Sequence, residues 1–189
     1  MTTDVAGRWP LAYATRVAGE LKALLAPACE RIEEAGSVRR RRETVKDIEL
    51  VVIPKVDISM DMFKRESASV SRLDALLETL MQEGVLDKRP DIHGHFTYGP
   101  KNKYLLHVPS GIALDIFATT VAYWGMSYLV RTGPKDWNIK VMSRFQQLGC
   151  QGHSYAGYTD QSGQEHDCPD EADVFAALGW PWIAPEARA

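Results

Sequence analysis

Apolar side chains recur at helical spacing over residues 11–25, where Leu11, Ala14, Val17, Ala18, Leu21, Leu24 and Leu25 make one stripe that ends near Pro27. This predicts an amphipathic helix. The period then changes: residues 28–35 are short and mixed and lead into Gly36-Ser37, while 47–53 (DIELVVI) are β-branched and apolar and stop at Pro54, as a buried strand does. A second helix is predicted over 68–83 from Val70, Leu73, Leu76, Leu77, Leu80 and Met81, with Gly84 as its C-cap. Two more strands, Lys103 to Val108 and Ile112 to Ala118, flank Pro109-Ser110-Gly111, a turn short enough for an antiparallel hairpin.

After Thr119 the pattern is helical again, over 121–131 and 135–148, with Gly133 ending one helix and Pro134 opening the next. Residues 151–167, rich in Gly, Ser, Asp and Gln, read as a small exposed hairpin, and 170–178 (DEADVFAAL) as a capped helix ended by Gly179. No internal repeat or low-complexity linker interrupts the chain.

Alternation along a strand sends residues two apart to the same face, so Asp47 and Glu49 project together while Ile48 and Leu50 turn to the core. Asp115 points opposite to Leu114 and Ile116 by the same rule, and joins the other two if its strand lies beside 47–53. Three clustered carboxylates repel one another unless a cation neutralises them, and oxygen-only ligation suits Mg²⁺ or Mn²⁺. Upstream, Gly36-Ser37 with Arg39 and Arg40 offers a close backbone approach, a hydroxyl and guanidinium donors, the requirements of a triphosphate.

At 189 residues, 45% hydrophobic and 25% charged, the composition is that of an ordinary globular protein. A net charge of −3 supplies no global field toward nucleic acid, so any polyanion site must be local, and Arg39–Arg42 is the one dense basic run. Cys29, Cys150 and Cys168 form no CxxC pair and are expected to be reduced thiols. With no leader-like N-terminus and no window near the roughly 18 apolar residues of a membrane span, a cytoplasmic, membrane-free protein is expected. His93 and His95 lack a third ligand at recognisable spacing and read as a polar loop pair.

The block GSVRRRRETVKDIEL resembles the Gly-Ser-x-Arg-Arg and paired-carboxylate signature of family X DNA polymerases, with the spacing to Asp47 preserved. LDIF, holding Asp115, is similar to the strand that supplies that family's third metal ligand. RTGPKDWN (131–138) resembles its TGSxxxN segment, and DEADVFAALGWPWIAPEAR (170–188) its C-terminal signature. The resemblance implies an α+β fold: a nucleotidyltransferase palm over 1–120, with a mixed or antiparallel sheet flanked by helices, and a small, mainly helical nucleotide-binding subdomain with a β-hairpin over 121–189.

It also implies transfer of dNMP from a dNTP to a DNA 3′-hydroxyl, in gaps or at ends, with two Mg²⁺ or Mn²⁺ ions on Asp47, Glu49 and Asp115. The nucleotide would lie against Gly36, Ser37, Arg40, Gly133, Trp137 and Asn138, and the primer-template or gapped DNA against Arg39, Lys140 and Arg144. Departures from the pattern are Glu49 where the polymerases usually have Asp, and Met142 where many relatives carry an Arg that reaches the template. The family's N-terminal helical domain has no counterpart here, so a helper protein for DNA grip is expected. Two rival readings stand beside this one: transfer to RNA, a protein or a small molecule, and a non-catalytic DNA-binding palm.

Overall fold

The stripe that predicts the first helix is the face the fold buries. In the computed structural model, which describes residues 7–61, 66–91 and 93–188, β1 (Trp9–Pro10) leads into α1 (Leu11–Leu25), whose Ala14, Val17, Ala18, Leu21 and Leu25 are buried. Most of the N-terminal stretch weighed as a leader lies outside the described residues.

β2 (Cys29–Glu34), α2 (Gly36–Arg39), β3 (Thr44–Val45) and β4 (Asp47–Pro54) follow, then β5 (Val56–Asp61), β6 (Glu66–Ser71), α3 (Arg72–Gln82) and β7 (Leu86–Lys88). Next come β8 (Asn102–His107) and β9 (Ile112–Ala118), α4 (Trp124–Thr132) and α5 (Lys135–Gln147). The short strands β10 (Gln151–Gly152), β11 (Tyr158–Thr159) and β12 (Glu165–His166) precede α6 (Glu171–Leu178).

Five strands form one mixed sheet in the order β2-β4-β9-β8-β7. Its centre is the parallel pair β4 and β9, and the other pairs are antiparallel. Parallel neighbours need a long crossover, and here everything from β5 to β8 makes it. The expected hairpin around Pro109-Ser110-Gly111 is the β8–β9 pair.

The two faces of this sheet serve different ends. Ile48, Leu50 and Val52 of β4 and Ile112, Leu114 and Ile116 of β9 pack against α1 and against Leu73, Leu77 and Leu80 of α3. The opposite face carries Asp47, Glu49 and Asp115 at one end. At the other, Val51, Ile53 and Phe117 gather with Ala35 and Trp124. Trp124 begins α4, so this second cluster seats the C-terminal helices on the carboxylate face. Farther out, Met126, Leu129, Trp137, Val141, Phe145, Val174, Phe175 and Leu178 from α4, α5 and α6 make their own core.

Two expectations need correction. The helix predicted from residue 68 begins at Arg72, because Ser71 caps it by accepting a hydrogen bond from Asp74 N at 3.2 Å. Residues 66–71, including Val70, instead pair with 56–61 as an antiparallel ribbon. The hairpin predicted over 151–167 is a three-stranded sheet, β10-β11-β12. By contrast, α6 has the expected capping box between Asp170 and Asp173 and ends at left-handed Gly179.

Candidate active site

The pairing of β4 with β9 decides the geometry. Its register sets Glu49 directly opposite Asp115 and Asp47 opposite Ala113, so the two carboxylates of β4 and the one of β9 stand on a single face. Glu49 is further positioned by Gly36, the first residue of α2, which has φ +56°. A Cβ at Gly36 would lie 1.5 Å from Glu49 Oε2. Only a glycine leaves that space to the carboxyl group.

Burial and the neighbouring charges of Asp47 and Asp115 push the Glu49 carboxyl up to about 8, against the pull of Arg40 and Arg131. Burial also raises Asp115, to about 6, although Arg89 draws it down. Arg89, just beyond β7, forms an ion pair with Asp115. Among the described residues, no three His, Cys, Asp or Glu side chains stand close enough together to hold a metal ion as they are. The donor chemistry nonetheless fits a hard divalent cation. Three carboxylates share one face, and their repulsion and burial hold two of them toward the neutral form.

Beside the carboxylates lies a cleft of about 530 Å³ lined by Arg8, Ser37, Arg40, Arg41, Arg42, Glu43 and Thr44. Arg40 spans it. Its Nη1 donates to the Thr132 carbonyl and Nη2 to Ser37 Oγ at 3.4 Å, while its Nε is buried without a partner. Gly133, at φ +63°, sits close enough that a Cβ there would be 3.1 Å from Arg40 Nη1. The fold thus brings Gly133, from the turn between α4 and α5, to Arg40 and the neighbouring Gly36 and Ser37 of α2.

Other expected contacts lie elsewhere. Trp137 is packed in the C-terminal core at 6% exposure, its ring 6.4 Å from Phe175 and 5.8 Å from Trp180. The first turn of α5 faces α6, so this indole fills the C-terminal core. Asn138 donates to the Val130 carbonyl at 2.8 Å, and its Oδ1 is buried without a partner. Arg39 does not face solvent as a DNA contact would. It stacks 3.7 Å from the Tyr128 ring and donates to Glu171 and Thr132. Arg144 is half-buried and donates to the Leu178 carbonyl at 3.2 Å, whereas Lys140 is exposed on α5.

A family model described as DNA polymerase beta thumb matches residues 127–189. The DNA polymerase/3'-5' exonuclease PolX of Bacillus subtilis (strain 168) is 28% identical over 186 residues, covering 96% of this chain and 28% of the relative. The chain therefore spans well under a third of that relative's length. Leishmania infantum polymerase beta, solved as a ternary P/T complex, superposes with a TM-score of 0.72 at 16% identity, over 96% of this chain and 77% of the other.

In sequence and in fold the chain is similar to family X polymerases.

The carboxylate face and the cleft beside it include residues that the sequence does not single out. Arg8 reaches the arginine-lined cleft because β1 pairs with β3, and it donates to Thr44 Oγ1 at 2.8 Å and to the Thr44 carbonyl at 3.0 Å. Arg131 of α4 lies 3.9 Å from the Phe117 ring and donates to Tyr155 Oη at 2.6 Å. From there its charge acts on both Glu49 and Asp115. Arg89 is the third. All three depend on long-range pairing, so their spacing along the chain carries no signal, although Arg131 adjoins the Thr132-Gly133 turn. Among the described residues, no helix is long and apolar enough to cross a membrane.

Proposed function

We propose that this protein is a nucleotidyltransferase that moves dNMP from a dNTP to the 3′-hydroxyl of a DNA strand, at gaps or ends, in the manner of a family X polymerase. The observation that carries this reading is the register that sets Glu49 against Asp115, with Asp47 on the same face, next to an arginine-lined cleft. Residues 1–120 carry the chemistry, and residues 121–189 shape the nucleotide side.

Ser37, Arg40 and Arg8 hold the β- and γ-phosphates, with the unpartnered Arg40 Nε as one available donor. Gly133 lets the chain approach closely beside Arg40. Asp47 and Glu49 would hold a nucleotide-side Mg²⁺ or Mn²⁺, and Asp115 would join them on the acceptor side. When bound, these ions would supply activation of the 3′-hydroxyl and charge neutralisation on the pyrophosphate leaving group. Glu49 would give up a proton when a cation is held there, since burial and its acidic neighbours keep it toward neutrality otherwise.

Primer extension tests the reading. Labelled single strand, primer-template and one-nucleotide gap are each supplied with single dNTPs and Mg²⁺ or Mn²⁺. Addition of one dNMP to at least one DNA acceptor is expected. A folded protein that adds nothing to any of them contradicts DNA as the acceptor.

A further inference from the structure

The reading of Asp47, Glu49 and Asp115 as cation ligands underlies this inference, which concerns what Arg89 does at that site. Arg89 leaves the edge strand β7 and extends over Tyr104, its guanidinium 5.2 Å from that ring, to pair with Asp115. The rest of its hydrogen-bonding capacity is barely used. Nη1 makes only a 3.4 Å contact to the Pro90 carbonyl, and Nε is buried without a partner.

The ion pair lines a groove of about 420 Å³ that also takes in Trp9, Lys46 and Asp47 and is separate from the arginine-rich cleft. A strand whose 3′ end met the carboxylates could approach through this groove. Arg89 and a divalent cation compete for the Asp115 carboxylate, so loading a cation displaces the guanidinium. A displaced, partly buried guanidinium needs a new counter-charge. The other carboxylates lining the groove are Asp91, whose Oδ1 accepts from the amides of His93 and His95 at 2.8 and 2.9 Å, and Asp47. Asp47 belongs to the cation site itself. A phosphodiester entering the groove supplies the paired oxygens that a guanidinium matches.

We propose that Arg89 is a positioning residue that passes from Asp115 to a phosphodiester of the acceptor strand when a cation loads the carboxylates.

Two measurements on the full chain test this: Mn²⁺ binding followed by electron paramagnetic resonance without DNA, and primer-template affinity across a salt series with Mn²⁺ present. Arg89→Gln is expected to bind Mn²⁺ about tenfold more tightly, a gain of about 1.4 kcal/mol. Its slope of log affinity against log salt should be shallower by about 0.9, the loss of one phosphate contact. Arg89→Lys keeps the charge and should retain the wild-type slope. Mn²⁺ affinity that Arg89→Gln leaves unchanged or weakened overturns the proposal alone, as does an unchanged slope. Failure of wild type and Arg89→Gln alike to bind Mn²⁺ overturns the carboxylate reading and the proposal with it.

Discussion

Arg39 and Glu171, 132 positions apart, hold each other through two hydrogen bonds of 2.9 and 2.7 Å. Arg188, fully buried, adds a third to Glu171 Oε1 at 2.7 Å. This clasp ties α2, which carries Gly36 and Ser37, to α6 and the C-terminal tail. Burial alone would raise the Glu171 carboxyl, but the hydrogen bonds from the two arginines outweigh it and hold it below the usual range. Removing the shared anion strands two guanidinium groups, so Glu171→Gln should destabilise the protein by about 3 kcal/mol or more. Arg39→Met, which leaves Glu171 with Arg188, should cost less. Urea denaturation of the two variants checks the order, and equal stability would contradict it.

Glu49 supplies a pH signature. Its folded-state value of about 8 lies above the roughly 4.3 of an unfolded chain. A group raised in this way contributes stability that is fully present below the unfolded value and lost as pH rises through the folded one. The cation-free wild type should therefore lose about 2–4 kcal/mol relative to Glu49→Gln between pH 4.5 and pH 8. Denaturation of the pair across that range, in chelator, measures it. A constant difference would show that Glu49 titrates normally.

Gly36 is the most stringent small residue at the site. An alanine there meets both a positive φ and the Glu49 carboxyl 1.5 Å from its Cβ. Gly36→Ala should cost about 1–3 kcal/mol of stability, displace Glu49, and abolish nucleotide addition even where the protein stays folded. Retained activity would mean that Glu49 works from another position.

Arg8 and Arg40 face the same cleft from opposite ends of the first 40 residues. Loss of a charge-assisted hydrogen bond costs roughly 1.5–3 kcal/mol, so Arg8→Ala and Arg40→Ala should each weaken nucleoside triphosphate binding by about tenfold or more. Titration calorimetry with a dNTP, beside the corresponding nucleoside, separates phosphate contacts from base contacts. Equal losses for the two ligands would contradict a phosphate role.

Much of this architecture was legible in the sequence because local rules act there without competition. The α1 stripe, the DIELVVI strand, the Pro109-Ser110-Gly111 turn and the Asp170 cap each rest on spacing or backbone chemistry that tertiary context reinforces. The shared face of Asp47 and Glu49 follows from the pleat alone. The β5–β6 ribbon was hidden because Val70 continues the apolar phase of α3 upstream of its cap at Ser71. The packing of Trp137 against Phe175 and Trp180 was not legible, since its position next to Asn138 says nothing about which way the first turn of α5 faces. The pairing of Arg39 with Glu171 was not legible because the two are 132 positions apart. Arg8, Arg89 and Arg131 reach the site only through strand pairing and helix docking, so no local pattern marks them.

The central claim is that Asp47, Glu49 and Asp115 act together on a nucleotide, and single-turnover addition of labelled dNMP to gapped DNA tests it most directly. Wild type is compared with Asp115→Asn, both shown to be folded by circular dichroism. The account predicts addition by wild type in Mg²⁺ or Mn²⁺ and a drop of about a thousandfold in the variant, the several kcal/mol of charge stabilisation lost with a metal ligand. Addition at the same rate in both proteins would contradict it.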